Sequence, residues 1–224
     1  MDELINVAQY HIQLFGLDLT FNTQYIMMSW AVMAILIIFS FLATRKAGLI
    51  PHPVQVVAEL LIGAFYDLTE QALDKERAKK YFPLICTLFM FFLLCNWIGI
   101  IPVMAEPTRD LNTTLGMGIL GGIIAHYSGI RAKGLKGYLK DYCDPMWFMA
   151  PLNVVSEIAN IVSISFRLYG NIMGGAIIII VVSGLVRSLI IPPGLVFFFG
   201  LFVGGIQAFV FTMLTLVYIS LKVK

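Results

Sequence analysis

Long uncharged apolar runs alternate with short charged turns along almost the whole chain. Tyr25 to Thr44 is a 20-residue run that stops at Arg45-Lys46. Such a run is long enough to cross a hydrocarbon core of about 30 Å as a helix. Tyr81 to Ala105 gives a second crossing of 25 uncharged residues, and Leu111 to Ile130 a third. The third is unusual in carrying Asn112, Thr113, Thr114 and His126. Met146 to Val186 runs for 41 residues with no proline but Pro151. A continuous helix of that length reaches roughly 60 Å at ~1.5 Å per residue. That is about twice the bilayer core, so it must tilt steeply or break. Pro192-Pro193-Gly194 marks a turn, and Leu195 to Leu221 makes a last crossing that ends at Lys222 and Lys224.

One segment has a different pattern. After the break at Pro51-His52-Pro53, the polar residues Gln55, Glu59, Asp67, Glu70 and Asp74 recur at helical spacing. Val57, Leu60, Leu61, Ala64, Phe65 and Leu68 fill the opposite side. Residues 54–74 therefore read as an amphipathic helix lying along the membrane or against partner helices. Residues 1–24 are mixed and polar-interrupted, and Arg131, Lys133, Lys136 and Lys140 sit in a glycine-punctuated basic loop.

The expected fold is thus all-α: a polytopic membrane protein of about five transmembrane helices plus one membrane-parallel amphipathic helix. Its parts are a first crossing at 25–44, a helical hairpin at 81–130, and a long tilted hairpin at 146–221. Basic residues orient it, because cytoplasmic loops are enriched in Lys and Arg. With the N-terminus outside and the C-terminus inside, 12 of the 15 basic residues fall on the cytoplasmic side. Arg109 and Arg187 are then outside, and Arg167 lies in the middle. The odd number of crossings and the absence of similarity between halves disfavour an inverted-repeat transporter.

Composition agrees with this picture. The 224 residues are 59% hydrophobic and 12% charged, against about 25% charged in a soluble domain. The opening Met1-Asp2-Glu3 lacks a positive n-region, so no cleaved targeting peptide is expected. Cys86, Cys95 and Cys143 are an odd number and read as reduced thiols rather than a disulfide frame. No metal-spaced cluster, phosphate-cradling glycine loop or nucleophile–base pair stands out. No cofactor and no covalent catalysis are expected.

What remains is a charge in the wrong solvent. From Met146 to Val186 the only acidic or basic side chains are Glu157 and Arg167. A guanidinium stays protonated at physiological pH and costs at least a few kcal/mol in lipid. Asn160, Ser163, Arg167, Asn171 and Gly174 follow one another at helical spacing, with Gly170, on one stripe. Gly170 and Gly174 form a Gly-x-x-x-Gly pair of the kind that admits another helix closely. The last crossing repeats the device with Gly200, Gly204, Gln207 and Ala208. Together they predict a close-packed polar seam at mid-membrane. Glu157 lies about 15 Å along the axis from Arg167, too far for a direct pair on a straight helix. For Asn171 and Gln207, plain interhelical hydrogen bonding competes evenly with a role in an ion path. His126 reads as a satisfied core or loop histidine rather than a ligand.

Three stretches in order, Pro107-Thr108-Arg109-Asp110-Leu111-Asn112-Thr113-Thr114, Phe166-Arg167-Leu168-Tyr169-Gly170-Asn171 and Gln207-Ala208-Phe209-Val210-Phe211-Thr212-Met213-Leu214-Thr215, resemble the a subunit of F-type ATP synthases. The resemblance covers most of the chain. It implies a non-catalytic stator subunit in a membrane of the bacterial inner-membrane type, working against a rotor ring of c subunits. Peripheral-stalk b subunits and membrane lipid are the other implied neighbours, and the soluble F1 sector makes the ATP. It further implies that Arg167 is the essential arginine between two aqueous half-channels. Asn171 and Gln207 would lie near the arginine and the outer half-channel. Glu157, Ser163 and Asn153 would lie toward the inner path, and Asp110 with Asn112 toward the outer mouth. Where many relatives carry a Glu or His pair, this chain has Ala176 and Gly200, so the outer path rests on water and neutral groups. Where relatives often have an acid fourteen residues before the arginine it has Asn153, with Glu157 one turn later as the nearest replacement. Protons are the default ion, and Na⁺ fits a path built of oxygen ligands. Two other classes compete: a small anion permease binding substrate at Arg167, and a structural scaffold. The first lacks a second half, and the second leaves a costly arginine without a purpose.

Overall fold

The computed structural model describes residues 9–14, 17–44, 53–101, 104–143, 148, 150–185 and 191–223. The helical membrane architecture expected from the apolar runs is present. Helices α1 (Thr23–Thr44), α2 (Pro53–Ala72), α3 (Lys75–Trp97), α4 (Leu111–Cys143), α5 (Ala150–Leu185), α6 (Ile191–Phe197) and α7 (Gly204–Val223) follow in order. Among the described residues, four stretches are long and apolar enough to cross a membrane: Thr23–Thr44, Lys75–Ile100, Ala150–Leu185 and Pro192–Val223. Helix α4 is not among them, because Asn112, Thr113, Thr114, His126 and several glycines dilute its apolar content.

Three features differ from the sequence reading. The first is an antiparallel hairpin, β1 (Gln9–Leu14) paired with β2 (Leu17–Asn22), ahead of α1. Its strands alternate polar and apolar residues, as in Leu17-Asp18-Leu19-Thr20-Phe21-Asn22, and that period of two suits a strand. The second is the basic stretch after the third run, which is helical to Cys143 with a single kink at Gly134. Gly134 has φ +75°, a left-handed conformation open to glycine at little cost. The third is Pro192-Pro193, which lies in the first turn of α6 rather than in a turn of its own. Proline is tolerated there because the first helical N–H groups have no intrahelical partner. Arg45, Lys46 and Arg187 lie outside the described residues.

The core is built around α3 and α7. Ile85 of α3 packs with Leu216, Ile219 and Val223 of α7, Ala125 of α4, and Phe65 of α2. Leu88 and Phe92 of α3 meet Ala208 and Phe211 of α7 and Ile164 and Leu168 of α5. A third cluster joins Val32 of α1 to Phe91, Cys95 and Ile98. The amphipathic segment docks as α2 through Phe65, Thr69 and Leu73, spaced one turn apart, and the Ser220 hydroxyl of α7 donates to the Ala72 carbonyl at its end. Its apolar residues Val57 and Leu60 remain 54% and 70% exposed, as befits a surface turned to lipid or to another subunit.

Glycines set how closely α4 approaches α5. A β-carbon at Gly118 would sit 3.3 Å from the Ile161 carbonyl oxygen and collide with the Ser165 hydroxyl. One at Gly122 would sit 2.6 Å from Ile161 Cδ1. The close approach is what small residues at helix crossings in lipid provide.

Candidate functional site

Helix α5 turns a mainly apolar side inward and its polar stripe outward. Ile164, Ser165, Leu168, Ile172 and Gly175 are buried, at spacings that define one face. Arg167, next to the fully buried Leu168, therefore points away from the bundle and is exposed. Among the described residues its guanidinium makes no hydrogen bond and no ion pair. Ser163 and Gly170 share that exposed side. A β-carbon on Gly170 or Gly174 would meet nothing within 4 Å.

The expected seam between two small-residue faces is thus corrected. Gly170 and Gly174 do not face α7; they line the outer surface beside Arg167. It is Gly175, on the buried side, that receives the Phe199 ring at 3.0 Å from its β position. Gly200 and Gly204 do pack closely, but against α3 and the turn after it. Their β positions lie 2.7 Å from Ile100 Cγ1 and 3.0 Å from Asn96 Cβ. Gly200 sits in a π-helical segment, Phe198–Val203, that leads into α7. Wide π turns leave carbonyls poorly served by the helix, and such segments recur at functional sites. Here the Trp97 indole donates to the Leu201 carbonyl at 3.2 Å, and the Asn96 amide to the Gly204 carbonyl at 2.8 Å.

Just past Arg167 a polar contact crosses between α5 and α7. The Asn171 amide donates to Gln207 Oε1 at 2.8 Å, with Gln207 4% exposed. Asn171 also lines a cavity of about 180 Å³ together with Ala176, Gly200, Phe199 and three residues of the 104–110 loop, Met104, Glu106 and Arg109. That loop is fixed from behind: the buried Thr108 hydroxyl donates to Asn96 Oδ1 at 2.8 Å. Burial pushes the Glu106 carboxyl up to about 7, with Arg109 opposing. Asp110 and Asn112 do not line this cavity. They begin α4, where the Asn112 N–H donates to Asp110 Oδ1 at 3.4 Å and the Asp110 carbonyl accepts from the Thr114 N–H. Burial raises the Asp110 carboxyl, and hydrogen bonds from Asn112 and Asn22 oppose it.

On the other side of Arg167 lies a second cavity, of about 290 Å³, lined by Asn153, Ser156, Glu157, Asn160, Lys133 and Lys222 among others. Asn153, Glu157 and Asn160 are thus brought together, while Ser163 is not part of the lining. Glu157 pairs with Lys222 of α7 and lies 3.3 Å from His126 Nε2. The other ring nitrogen of His126 meets the Tyr138 hydroxyl, which the kink at Gly134 folds back onto α4. Glu157 therefore has partners of its own, and Arg167 is not one of them. The two cavities share no lining residue. Between Asn160 and Asn171 the axis of α5 rises about 16 Å, with Arg167 inside that interval.

Several members of this arrangement were not singled out from sequence. Lys222 reads there as a stop signal after the last crossing, and Tyr138 as part of a loop. Tyr218 and Lys222, four residues apart on one helical face, carry the signal that could have found the pair. Glu106 has no periodic pattern to mark it.

Comparison with known proteins fits these observations. The model of the family described as ATP synthase A chain matches residues 26–220. ATP synthase subunit a of Moorella thermoacetica is 40% identical over 192 residues, covering 86% of this chain and 87% of that protein. ATP synthase subunit a 1 of Pelobacter propionicus is 36% identical over 196 residues, covering 86% and 84%. The chloroplastic ATP synthase subunit a of Stigeoclonium helveticum is 34% identical over 225 residues, covering 96% and 89%. The match spans the arginine helix, the loop before α4 and the glutamine helix alike, and the chain belongs to the ATP synthase A chain family, the a subunits of the membrane sector of F-type ATP synthases.

Proposed function

We propose that the whole chain works as one non-catalytic stator unit, with Arg167 holding apart two half-channels that meet a rotor ring of c subunits. The cavity at Asn171 and Gln207 is the outer half-channel, and the cavity at Glu157 and Asn153 is the inner one. Lys133 and Lys222 at the inner cavity support a cytoplasmic side for it, with the N-terminus outside. The single observation that carries this reading is the outward, unpaired guanidinium between two separate polar cavities. Gly170 and Gly174 keep that surface low, so that a ring helix can come close.

The electrostatics follow from the geometry. A fixed cation in a low-dielectric surface favours the ionised form of a carboxylate brought against it, so its pKa falls. A loaded rotor acid arriving at Arg167 therefore releases its ion to one cavity, and moves on only after reloading from the other. The same positive charge repels a cation that would pass directly between the cavities. Each charge that completes the crossing makes available ~2.3 kcal/mol per 100 mV, which biases rotation. Protons are the simplest ion for this path. The b subunits and lipid are the natural cover for the exposed faces of α1 and α2, while ATP chemistry stays in the soluble F1 sector.

The test is Arg167→Ala in the assembled synthase reconstituted in liposomes. Ion-driven ATP synthesis is expected to vanish while the subunit still assembles, and coupled synthesis in that variant would refute the proposal. ATP-driven pumping with and without Na⁺, in the presence of an uncoupler, identifies the ion.

A further inference from the structure

Glu106 is a carboxylate whose position is built and whose chemistry is unassigned. It lies over Gly99, where a β-carbon would collide with its side chain, so the glycine makes room for it. The short helical turn that follows, Pro107–Arg109, is held by the Thr108–Asn96–Gly204 hydrogen-bonded chain, with Asn96 at 0% and Thr108 at 1% exposure. The Glu106 carboxylate is thereby kept at the wall of the cavity that ends at Asn171. Opposite it the wall is Ala176 and Gly200, which leave space and offer no titratable group. Among the described residues lining that cavity, Glu106 is the only acid and Arg109 the only base. Among the described residues the Glu106 carboxylate also has no hydrogen bond or ion pair, so its oxygens are available to water.

Resting on the half-channel reading above, we propose that Glu106 is the outer half-channel's proton-carrying side chain, loaded from the outer solution and unloaded toward the rotor acid past Asn171. A proton from outside water bonds to a Glu106 carboxylate oxygen and neutralises it. It then leaves to water beside Asn171 and Gln207 and on to a rotor carboxylate that has just left Arg167. The rotor acid becomes neutral, and Glu106 returns to the anion. No other atom changes hands.

The surroundings suit that cycle. Burial raises the carboxyl to about 7, where either protonation state is accessible, and Arg109 opposes the rise. A general acid or base works best with a pKa near the operating pH. Arg109 is the charged group that acts on Glu106, and Asp110 and Tyr169 of α5 join both of them around Tyr25 of α1. Because the folded pKa is raised, the loaded form dominates below about 7 and is lost as the outer pH climbs through it.

The experiment compares Glu106→Gln, Glu106→Asp and Arg167→Ala in the assembled synthase, reading ATP synthesis at constant driving force against outer pH. The parent rate should fall as outer pH rises through about 7. Glu106→Gln should lower the rate by about tenfold or more and flatten that fall. Glu106→Asp should retain turnover with the fall moved to lower pH, since an aspartyl group is the stronger acid. A purely structural role would lower the amount of assembled enzyme without moving the pH profile. If Glu106→Gln keeps the parent rate and profile, the Glu106 assignment is wrong. Should that variant not assemble, an unshifted profile in Glu106→Asp is equally decisive against it. Loss of synthesis in Arg167→Ala alongside a parent-like Glu106→Gln removes only this assignment; retained synthesis in Arg167→Ala removes the half-channel reading itself.

Discussion

Arg167 and Leu168 are neighbours in sequence and opposites in environment, and the difference sets what each substitution does. Losing the guanidinium removes a charge that makes no hydrogen bond or ion pair among the described residues, so stability should barely change while coupling is lost. The inner cavity behaves differently, because Glu157 is paired. Removing only Lys222, as in Lys222→Met, leaves a carboxylate without its main counter-ion, a type of change that costs ~3–5 kcal/mol when the pair is buried. These side chains are 25% and 21% exposed, so the lower end or less is expected. Adding Glu157→Gln to Lys222→Met should recover much of the lost assembly, as measured by the amount of intact complex. No recovery would mean that the pair does not matter to folding. For Asn171 and Gln207, a double-mutant cycle on complex stability should give a coupling of about 0.6 kcal/mol and no more than about 1.7. A coupling near zero would mean that the hydrogen bond seen between them is not maintained.

Elements answer to the pattern of the chain in unequal measure. The uncharged runs at 25–44 and 81–105 were plain in the sequence because hydrophobicity over about twenty residues is a strong and local signal. That Asn160, Ser163, Arg167 and Gly170 share one face of α5 was legible from their helical spacing, but the outward turn of that face, away from α7, was not. The helix after Ile130 was not legible: Gly134 and Gly137 look like loop punctuation, and only one of them adopts a left-handed conformation. The π-helical entry to α7 left no trace either, because its cause is tertiary, in Trp97 and Asn96 reaching from α3. The glycines separate into two kinds, which gives a paired prediction. Gly118→Leu should drive α4 from α5 and lower the yield of folded subunit, whereas Gly170→Leu should leave the fold intact and stop rotation by obstructing the ring. Equal losses of folded protein in both would show that Gly170 also faces a helix of this chain.

For the molecule as a whole, long-range pairing decided what sequence could not. Glu157 meets Lys222, and Glu106 meets the Asn171 cavity, only because α3 and α7 form a common core that draws α4 and α5 around it. Composition and the long apolar runs were enough to read a polytopic membrane protein. They could not place a loop acid in a cavity. The core itself has a mechanical meaning. Any torque delivered to a rotor through Arg167 returns as an equal push on α5, and the adjoining Leu168 is wedged among Leu88, Phe92, Ala208 and Phe211. On the proposed role of Arg167, that wedge would be the bracket that keeps the charged rail from rolling under load. Thinning it by Leu168→Ala, a truncation of the sort that weakens packed interiors by ~2–5 kcal/mol, should let the motor slip at high driving force while it still turns at low.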